Sequence, residues 1–276
     1  SGMDPDGEGF IIYVTSSFTV PLGSPYDGRQ RSEQSHPIFP GEATTARFGL
    51  ACIGIDVDVG VPQCDGDDIE VRGSEKLRER YQGALLAVEE LNARGGIHGT
   101  PVELEVRDDR MNPTLAIKVA EEFRDRSDIV AVVGHLSSGA SIAAAEIYNH
   151  PEKGLLSISP GATSPEMSMT GEWTFRVCPD DLQQGASLAE WAYHDLGYRR
   201  AVIIYANDAY GRGVRDAFTP EFERQGGTVL SVDPYLPAMI EDERTLDPYL
   251  ERGVRGGMDV LVIVGMGDEV TDILRA

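Results

Sequence analysis

The chain has 276 residues, of which 41% are hydrophobic, and its 24 Lys and Arg residues against 46 Asp and Glu residues give a net charge of −22. This length suits two domains, and the negative charge repels polyanions, which argues against a nucleic-acid partner. No apolar run approaches the roughly 18 residues that a membrane span requires. The segment GFIIYV near the start is too short for a span and lacks the basic flank of a signal peptide.

Residues 21–73 are rich in Pro, Gly, Asp and Ser, which predicts an elaborated loop region with one short strand, RFGLACIGI. Cys52 and Cys64 bracket part of this region, and two interpretations stay open: a local disulfide in an oxidising compartment, or two unpaired thiols in a cytosolic protein. The region also carries an acidic cluster, formed by Asp56, Asp58, Asp65, Asp67 and Asp68. Its spacing does not fit an EF-hand loop, so a solvated acidic loop is the favoured interpretation over a calcium site.

Beyond residue 73, amphipathic helices alternate with apolar strands. Ser74 is the predicted cap of a first helix that ends at Gly95-Gly96, and its buried face is predicted to contain Leu77, Tyr81, Ala84, Leu85, Val88 and Leu91. The alternating strand VELEVRD follows. Asn112 and Pro113 then begin a second helix as cap and first-turn residue. The inward face of that helix is predicted to be Ala116, Val119, Ala120 and Phe123.

The remaining elements repeat this alternation. The strand IVAVV, a helix over 139–149 and the strand LLSIS come first; later come the strands AVIIY, TVLSV and DVLVIV, with helices near 182–195, 212–225 and 243–253 and a last helix to the chain end. Such a pattern predicts an α/β fold with parallel sheets that are covered on both faces. The segment TFRVCPDD, at 174–181, is predicted to cross between two lobes: residues 1–179 form lobe one, with an insertion at about 21–73, and residues 180–276 form a partial lobe two.

Two loops of small and hydroxyl residues, GHLSSGAS at 134–141 and SPGATSPE at 159–166, each follow an apolar strand. Ligands of open parallel sheets bind at the carboxyl ends of the strands. The first loop leads into a helix, whose free N–H groups and dipole favour an anion, and Ser137 and Ser138 add hydroxyl donors. Gly161, Ala162 and Thr163 offer backbone groups and a hydroxyl nearby. Together the loops predict a site for a carboxylate or an α-amino acid; the alternative is ordinary helix capping and tight turns.

Five blocks of the sequence carry a family resemblance. In chain order they are ALLAVEELNARGGIHGTPVELEVRDDRMNP, VVGHLSSGASIAAAEIYN, LLSISPGATSPE, TFRVCPDDLQQG and VIIYANDAYGRGV. They resemble the type I periplasmic binding proteins, in particular the leucine/isoleucine/valine-binding branch, over the chain from about residue 74. The resemblance implies two Rossmann-like lobes, joined by hinge strands, that close on an amino acid and deliver it to a membrane ABC permease.

The resemblance also implies roles for single residues. Ser138 is similar to the serine that binds the ligand carboxylate, and the carbonyl of Gly161 lies where the ligand ammonium is accepted. Thr163 resembles the threonine that uses both its N–H and its hydroxyl, and Tyr210 an aromatic residue of the second lobe that closes over the ligand. Met266 stands where branched-chain amino-acid binders commonly carry aromatic residues. This departure argues against assigning leucine as the ligand.

A second departure concerns length, because the family chain normally continues for on the order of another hundred residues. Lobe two is therefore expected to be incomplete in this chain. The resemblance also implies a periplasmic or extracellular location, with a lipid anchor as an open alternative, although the chain carries no signal segment.

Chemical alternatives find less support in the sequence. Ser137-Ser138 lacks the G-x-S-x-G nucleophile elbow, and GMG at 265–267 lacks the third glycine of a dinucleotide loop. His135 is interpreted as a packed or capping residue rather than a general base, and Asp108 and Asp109 as turn or hinge residues as much as cleft residues. No spacing resembles zinc ligation. No metal and no cofactor are therefore predicted.

The predicted function is that of a non-enzymatic solute-binding protein that clamps an amino acid or a similar small carboxylate for an ABC importer. One alternative is the same module as the ligand-sensing input domain of a receptor or signalling protein. Another is an enzyme on a similar α/β scaffold, because a fold does not determine a function. The enzyme is disfavoured because no titratable pair converges on the predicted cleft.

Overall fold

The structure, a computed structural model, describes residues 10–14, 46–51, 75–236 and 246–265, with side chains described for 81–236 and 246–265. These residues form two compact units. The first unit contains the described residues 46–51, 75–162 and 166–178, and the second contains residues 10–14, 163–165, 179–236 and 246–265. The two units are described separately below.

The first unit is built on a five-stranded sheet in which every pair of neighbouring strands is parallel. Its strands are β2 (Ala46–Ala51), β3 (Val102–Arg107), β4 (Ile129–Val133), β5 (Leu156–Ser159) and β6 (Thr174–Arg176), in the spatial order β3-β2-β4-β5-β6. Its helices are α1 (Glu75–Ala93), α2 (Pro113–Asp125) and α3 (Ser138–Tyr148). Because β4 and β5 are parallel neighbours, with Val133 opposite Ile158, the loops that follow them leave the same edge of the sheet.

Helix α2 shows why the sequence was informative in this unit. Asn112 caps it, since its side-chain oxygen accepts the N–H groups of Thr114 at 2.9 Å and Leu115 at 3.1 Å. Pro113 occupies the first turn, where its missing N–H costs nothing. The predicted inward face is confirmed: Ala116, Val119, Ala120 and Phe123 are all buried, in one cluster with β4 and α3.

The second unit is built on a four-stranded parallel sheet. Its strands are β1 (Phe10–Val14), β7 (Arg200–Ala206), β8 (Thr228–Tyr235) and β9 (Val260–Val264), in the spatial order β1-β9-β7-β8. Its helices are α4 (Asp181–Glu190), which a π-helical turn over Trp191–Asp195 continues, α5 (Ala209–Arg224) and α6 (Asp247–Arg255).

Both faces of the second sheet are covered, as its apolar strands predict. Ala201, Ile203 and Tyr205 of β7 pack in one buried cluster with residues of α4 and α5. The alternate residues Val202 and Ile204 belong to a different cluster, which includes residues of β8, β9 and α6. Strand β7 is therefore buried on both sides, which explains its unbroken apolar run.

Three details differ from the sequence-based expectation. Residues 10–14, assigned to lobe one from the sequence, instead pair with β9 in the second unit, Phe10 opposite Val260. The apolar run FIIYV suits any parallel sheet, so the sequence alone could not name its partner. The segment 174–181, expected only to cross between the lobes, begins with strand β6 of the first sheet. The helix expected near 212–225 begins at Ala209.

Helix α1 ends where Gly95 and Gly96 adopt φ values of 98° and 72°, a left-handed conformation that glycine tolerates. On the predicted face of α1, Leu91 is 38% exposed, while Tyr81, Ala84, Leu85 and Val88 are half-buried. Ser74, the side chain of Leu77 and the last predicted helix lie outside the described residues. Within the described residues, no helix combines the length and the apolar character that crossing a membrane requires.

Candidate functional site

The turn between β4 and α3 places the start of a helix at the carboxyl edge of the first sheet. Ser137 is the N-cap of α3, because its hydroxyl accepts the N–H of Ala140 at 3.3 Å and its carbonyl accepts the N–H of Ser141 at 2.9 Å. The N–H groups of Ser138 and Gly139 come before the first intrahelical bonds. This helix end therefore carries partial positive charge beside the buried side chain of Ser138.

The turn after β5 lies against the first turn. Gly161 packs so closely on Leu136 that an added Cβ atom would lie 2.7 Å from the Leu136 Cδ1 atom and 3.2 Å from its carbonyl oxygen. Any larger residue at this position would require the Leu136 side chain to move. The turn that carries Ser137 and Ser138 thus contacts the turn that carries Gly161 and Ala162 through Leu136, within the first unit.

The amide groups of the second turn have partners inside the protein. The Ser159 hydroxyl accepts the N–H of Ala162 at 2.9 Å and the N–H of Gly161 at 3.3 Å. The sequence predicted that Gly161 and Ala162 offer their backbone groups to a ligand. For their two N–H groups this prediction is corrected, because the Ser159 hydroxyl already accepts both of them. The role that the resemblance implies for the Gly161 carbonyl does not involve these groups.

His135 is a packed residue, in agreement with the interpretation favoured from the sequence. Its side chain is fully buried, its Nδ1 atom contacts the Oδ2 atom of Asp109, and its Nε2 atom lies 2.9 Å from the Tyr148 hydroxyl. Asp109 is also fully buried, and its Oδ1 atom accepts the N–H of Met111 at 2.8 Å. Burial, and to a lesser degree the charge of Asp109, raise the pKa of the Tyr148 phenol above its ordinary value. This set is closed to solvent, so its chemistry is that of a structural anchor.

Thr163 packs with the second unit, although the turn to which it belongs begins in the first. Its side chain is buried, and its carbonyl accepts the N–H of Asp181 at 2.9 Å. Asp181 is the first residue of α4, where a carboxylate is stabilised by the helix dipole. It is fully buried against α5, since an added Cβ atom on Gly213 would lie 2.3 Å from its Oδ2 atom.

Tyr210 lies in the first turn of α5, two residues after the cap residue Asp208, whose side chain accepts the N–H of Gly211 at 2.7 Å. Tyr210 is 5% exposed and packs with Val214 in the core of the second unit. In the described part of the chain its hydroxyl makes no hydrogen bond of normal geometry. Burial raises the pKa of the Tyr210 phenol, and the charge of Asp181 raises it further.

A family model described as "Periplasmic binding protein" matches residues 78–276. The chain belongs to the periplasmic binding protein family. A protein of Pseudomonas aeruginosa named "Amino acid binding protein" is 30% identical over 196 residues, which cover 71% of this chain and 51% of that protein. The "Leu/Ile/Val-binding protein homolog 1" of Brucella suis is 32% identical over 242 residues, 86% of this chain and 62% of the relative.

Among solved structures, one of similar fold is that of the ABC transporter substrate-binding protein of Desulfitobacterium hafniense in complex with Leu. It has a TM-score of 0.59 and 30% identity, and the match covers 79% of this chain and 58% of that one. The chain thus spans between about half and three-fifths of the length of these relatives. The comparisons confirm the resemblance to type I periplasmic binding proteins of the branched-chain amino-acid branch and the α/β fold with parallel sheets.

Several predicted residues lie outside the described part of this family member. They are Met266, Cys52, Cys64 and the acidic cluster at Asp56, Asp58, Asp65, Asp67 and Asp68. Among the described residues, no group of three or more His, Cys, Asp or Glu side chains is arranged to hold a metal ion.

Sequence reasoning missed Ser141 and Ser159, which bind the backbone of the first turn. Ser141 donates to the carbonyl of His135 at 2.8 Å, and Ser159 donates to the same carbonyl at 2.5 Å. A signal was available in the sequence: Ser157 and Ser159 are two positions apart in a short strand, so their side chains share one face of it. A buried hydroxyl there needs a partner in the next loop.

Proposed function

We propose that this periplasmic binding protein is an extracytoplasmic solute-binding protein. It clamps an amino acid, or a similar small carboxylate, and delivers it to an ABC importer. The observation that carries the proposal is the paired arrangement of the two turns that follow β4 and β5. The N-terminus of α3 and the Ser138 hydroxyl supply donors for a carboxylate, and the resemblance assigns the Gly161 carbonyl to an ammonium group. The names of the relatives, an amino acid binding protein and a Leu/Ile/Val-binding protein homolog, support the same ligand class.

Donor chemistry favours a small anion over an uncharged ligand. Helix N-termini bind carboxylates through N–H groups and the helix dipole. A hydrogen bond to a charged group also stabilises a complex more than a hydrogen bond between two neutral groups does. Thr163 and Tyr210 stay predictions from the resemblance. Both are buried side chains of the second unit, and each can be tested by substitution.

A thermal-shift screen of the full chain against the proteinogenic amino acids and small carboxylates tests the proposal. A ligand that binds only the folded state raises the unfolding temperature, and the stabilisation grows with the logarithm of its concentration over its dissociation constant. We expect at least one α-amino acid to stabilise the protein, and the amide of the same amino acid, which lacks the negative charge, to stabilise it less. If no member of the screen raises the unfolding temperature, the proposed function is contradicted.

A further inference from the structure

One backbone carbonyl fastens the first turn to the elements around it. The carbonyl oxygen of His135 accepts the Ser141 hydroxyl of α3 at 2.8 Å and the Ser159 hydroxyl of β5 at 2.5 Å. Both serine side chains are buried, with exposures of 2% and 0%. The two hydroxyls lie 3.4 Å apart, at the outer limit of a hydrogen bond. The two serines therefore share one acceptor but come from different elements.

The hydrogen-bonding capacity of Ser159 is fully used within the protein. A hydroxyl has one hydrogen to donate and two lone pairs to accept with. Ser159 donates to the His135 carbonyl in the first turn and accepts from the N–H groups of Gly161 and Ala162 in the second. It has no capacity left for a ligand. Its hydroxyl oxygen instead connects the two turns, because the same atom is hydrogen-bonded to His135 in the first turn and to Gly161 and Ala162 in the second.

The ring of His135 holds the other side of this connection. It is enclosed between Asp109, two residues beyond the end of β3, and Tyr148, the last residue of α3, and all three side chains are fully buried. In addition, the Ser157 hydroxyl donates to the carbonyl of Gly134 at 2.8 Å, and the N–H of Gly134 donates to Ile158 at 2.9 Å. The first turn is thus fastened to β3, α3 and β5, and the hydrogen bonds of Ser159 connect it to the amides of the second turn.

We propose that Ser159 is a positioning residue that sets the separation between the carboxylate donors of the first turn and the ammonium acceptor of the second. This inference rests on the proposed function, in which the α3 N-terminus binds a carboxylate and the Gly161 carbonyl an ammonium. In an α-amino acid these two charged groups are a fixed distance apart. A connection that fixes the spacing of their protein partners therefore selects α-amino acids over ligands that carry only one of the two charges.

Ser159→Ala and Ser141→Ala form a matched pair of variants. Each removes one buried hydroxyl from the same carbonyl oxygen, and only the first also releases Gly161 and Ala162. Binding is measured by calorimetry on the full chain with the amino acid that binds most tightly and with the acid that lacks its amino group. L-Leucine and 4-methylpentanoate are the first such pair. The thermal unfolding temperature of each variant checks that it is folded.

We expect Ser159→Ala to weaken amino-acid binding by ~10-fold or more, which is the effect of about one lost net hydrogen bond. Binding of the acid without the amino group should change by less than about threefold. Ser141→Ala should leave the ratio of the two affinities close to that of the wild type. Ser159→Thr, which keeps a hydroxyl at the same Cβ atom, should restore the ratio.

Equal weakening of both ligands by Ser159→Ala, an unchanged ratio, or the same change of ratio in Ser141→Ala would overturn the inference and leave the proposed function intact. If the wild-type protein binds neither an amino acid nor a small carboxylate, the proposed function fails, and the inference fails with it; if it binds a carboxylate but no amino acid, only the inference fails. The two failures are therefore separated by the behaviour of the wild-type protein alone.

Discussion

The Nε2 atom of His135 lies 2.9 Å from the hydroxyl of Tyr148, inside the core of the first unit. The two residues are 13 positions apart in the sequence, one in the turn after β4 and the other at the end of α3. The tyrosine thereby ties the far end of the helix to the loop that begins it. Helix α3 is thus tied to His135 near both of its ends, through the Ser141 hydroxyl at its start and the Tyr148 hydroxyl at its last residue.

Replacing Tyr148 by Phe is predicted to destabilise the first unit. The change removes one hydroxyl and leaves a ring nitrogen of His135 buried without that partner, which costs about 1–3 kcal/mol. Urea denaturation of the variant and the wild type measures the difference. Tyr193→Phe is the control, because the ring of Tyr193 packs on Phe222 and Arg199 in the second unit and these contacts do not need its hydroxyl. An unchanged urea midpoint for Tyr148→Phe would show that the hydrogen bond contributes nothing net.

Stability is predicted to fall at alkaline pH because two buried phenols resist ionisation. Burial raises the pKa of Tyr148 and of Tyr210 above the ordinary value of 10.0 in the folded protein. The unfolded chain therefore loses protons above about pH 10 that the folded chain retains, and the free energy of unfolding decreases as the pH rises. Below that pH the full contribution of both phenols is present.

Denaturation of the wild type and of Tyr148→Phe between about pH 8 and pH 11 measures this effect, since a phenol titrates near pH 10 in an unfolded chain. The variant lacks one of the two phenols, so its free energy of unfolding should decline less steeply with pH. Parallel pH profiles for the two proteins would contradict the assignment of a raised pKa to Tyr148.

Helices α4 and α5 are predicted to depend on the absence of a side chain at Gly185. A Cβ atom at this position would lie 2.7 Å from both the Ala217 Cβ atom and the Val214 carbonyl oxygen. Gly185→Ala should therefore destabilise the second unit by about 1–3 kcal/mol through overpacking. Thermal unfolding provides the measurement.

Gly83→Ala in α1 is the matched control for Gly185→Ala. A Cβ atom on Gly83 would meet nothing within 4 Å, and alanine in an open helical position stabilises by about 0.5–1 kcal/mol relative to glycine. The two substitutions should thus change the unfolding temperature in opposite directions. A loss of stability of similar size in both would mean that helix packing is not what distinguishes them.

The sequence predicted the regular elements well where local chemistry determines them. Asn112 caps α2 and Pro113, with its fixed φ, begins it, so both residues mark the start of the helix. The 3.6-residue period identifies its buried face, which includes Phe123. The apolar runs of β4, β7 and β9 predict buried parallel strands for the same reason. In each case the information lies within a few consecutive residues.

The features that sequence reasoning missed depend on partners far along the chain. Strand β1 pairs with β9, about 250 residues later, and nothing in FIIYV specifies that partner. His135 contacts Asp109, 26 residues earlier, and Ser159 binds the carbonyl of His135 from 24 residues away. The sequence could identify small hydroxyl loops after two strands. It could not show which hydroxyls bind the protein itself, because that depends on the tertiary arrangement.

The affinity of Ser138→Ala for the tightest-binding amino acid, measured by calorimetry beside Ser127→Ala, tests the central claim most directly. The two serines lie at opposite ends of β4: Ser127 precedes the strand and is exposed, and Ser138 follows it and is buried at the start of α3. If the α3 N-terminus binds the ligand carboxylate, Ser138→Ala weakens binding by about 1–3 kcal/mol, and Ser127→Ala leaves it unchanged. Equal affinities for the wild type and both variants would contradict the account.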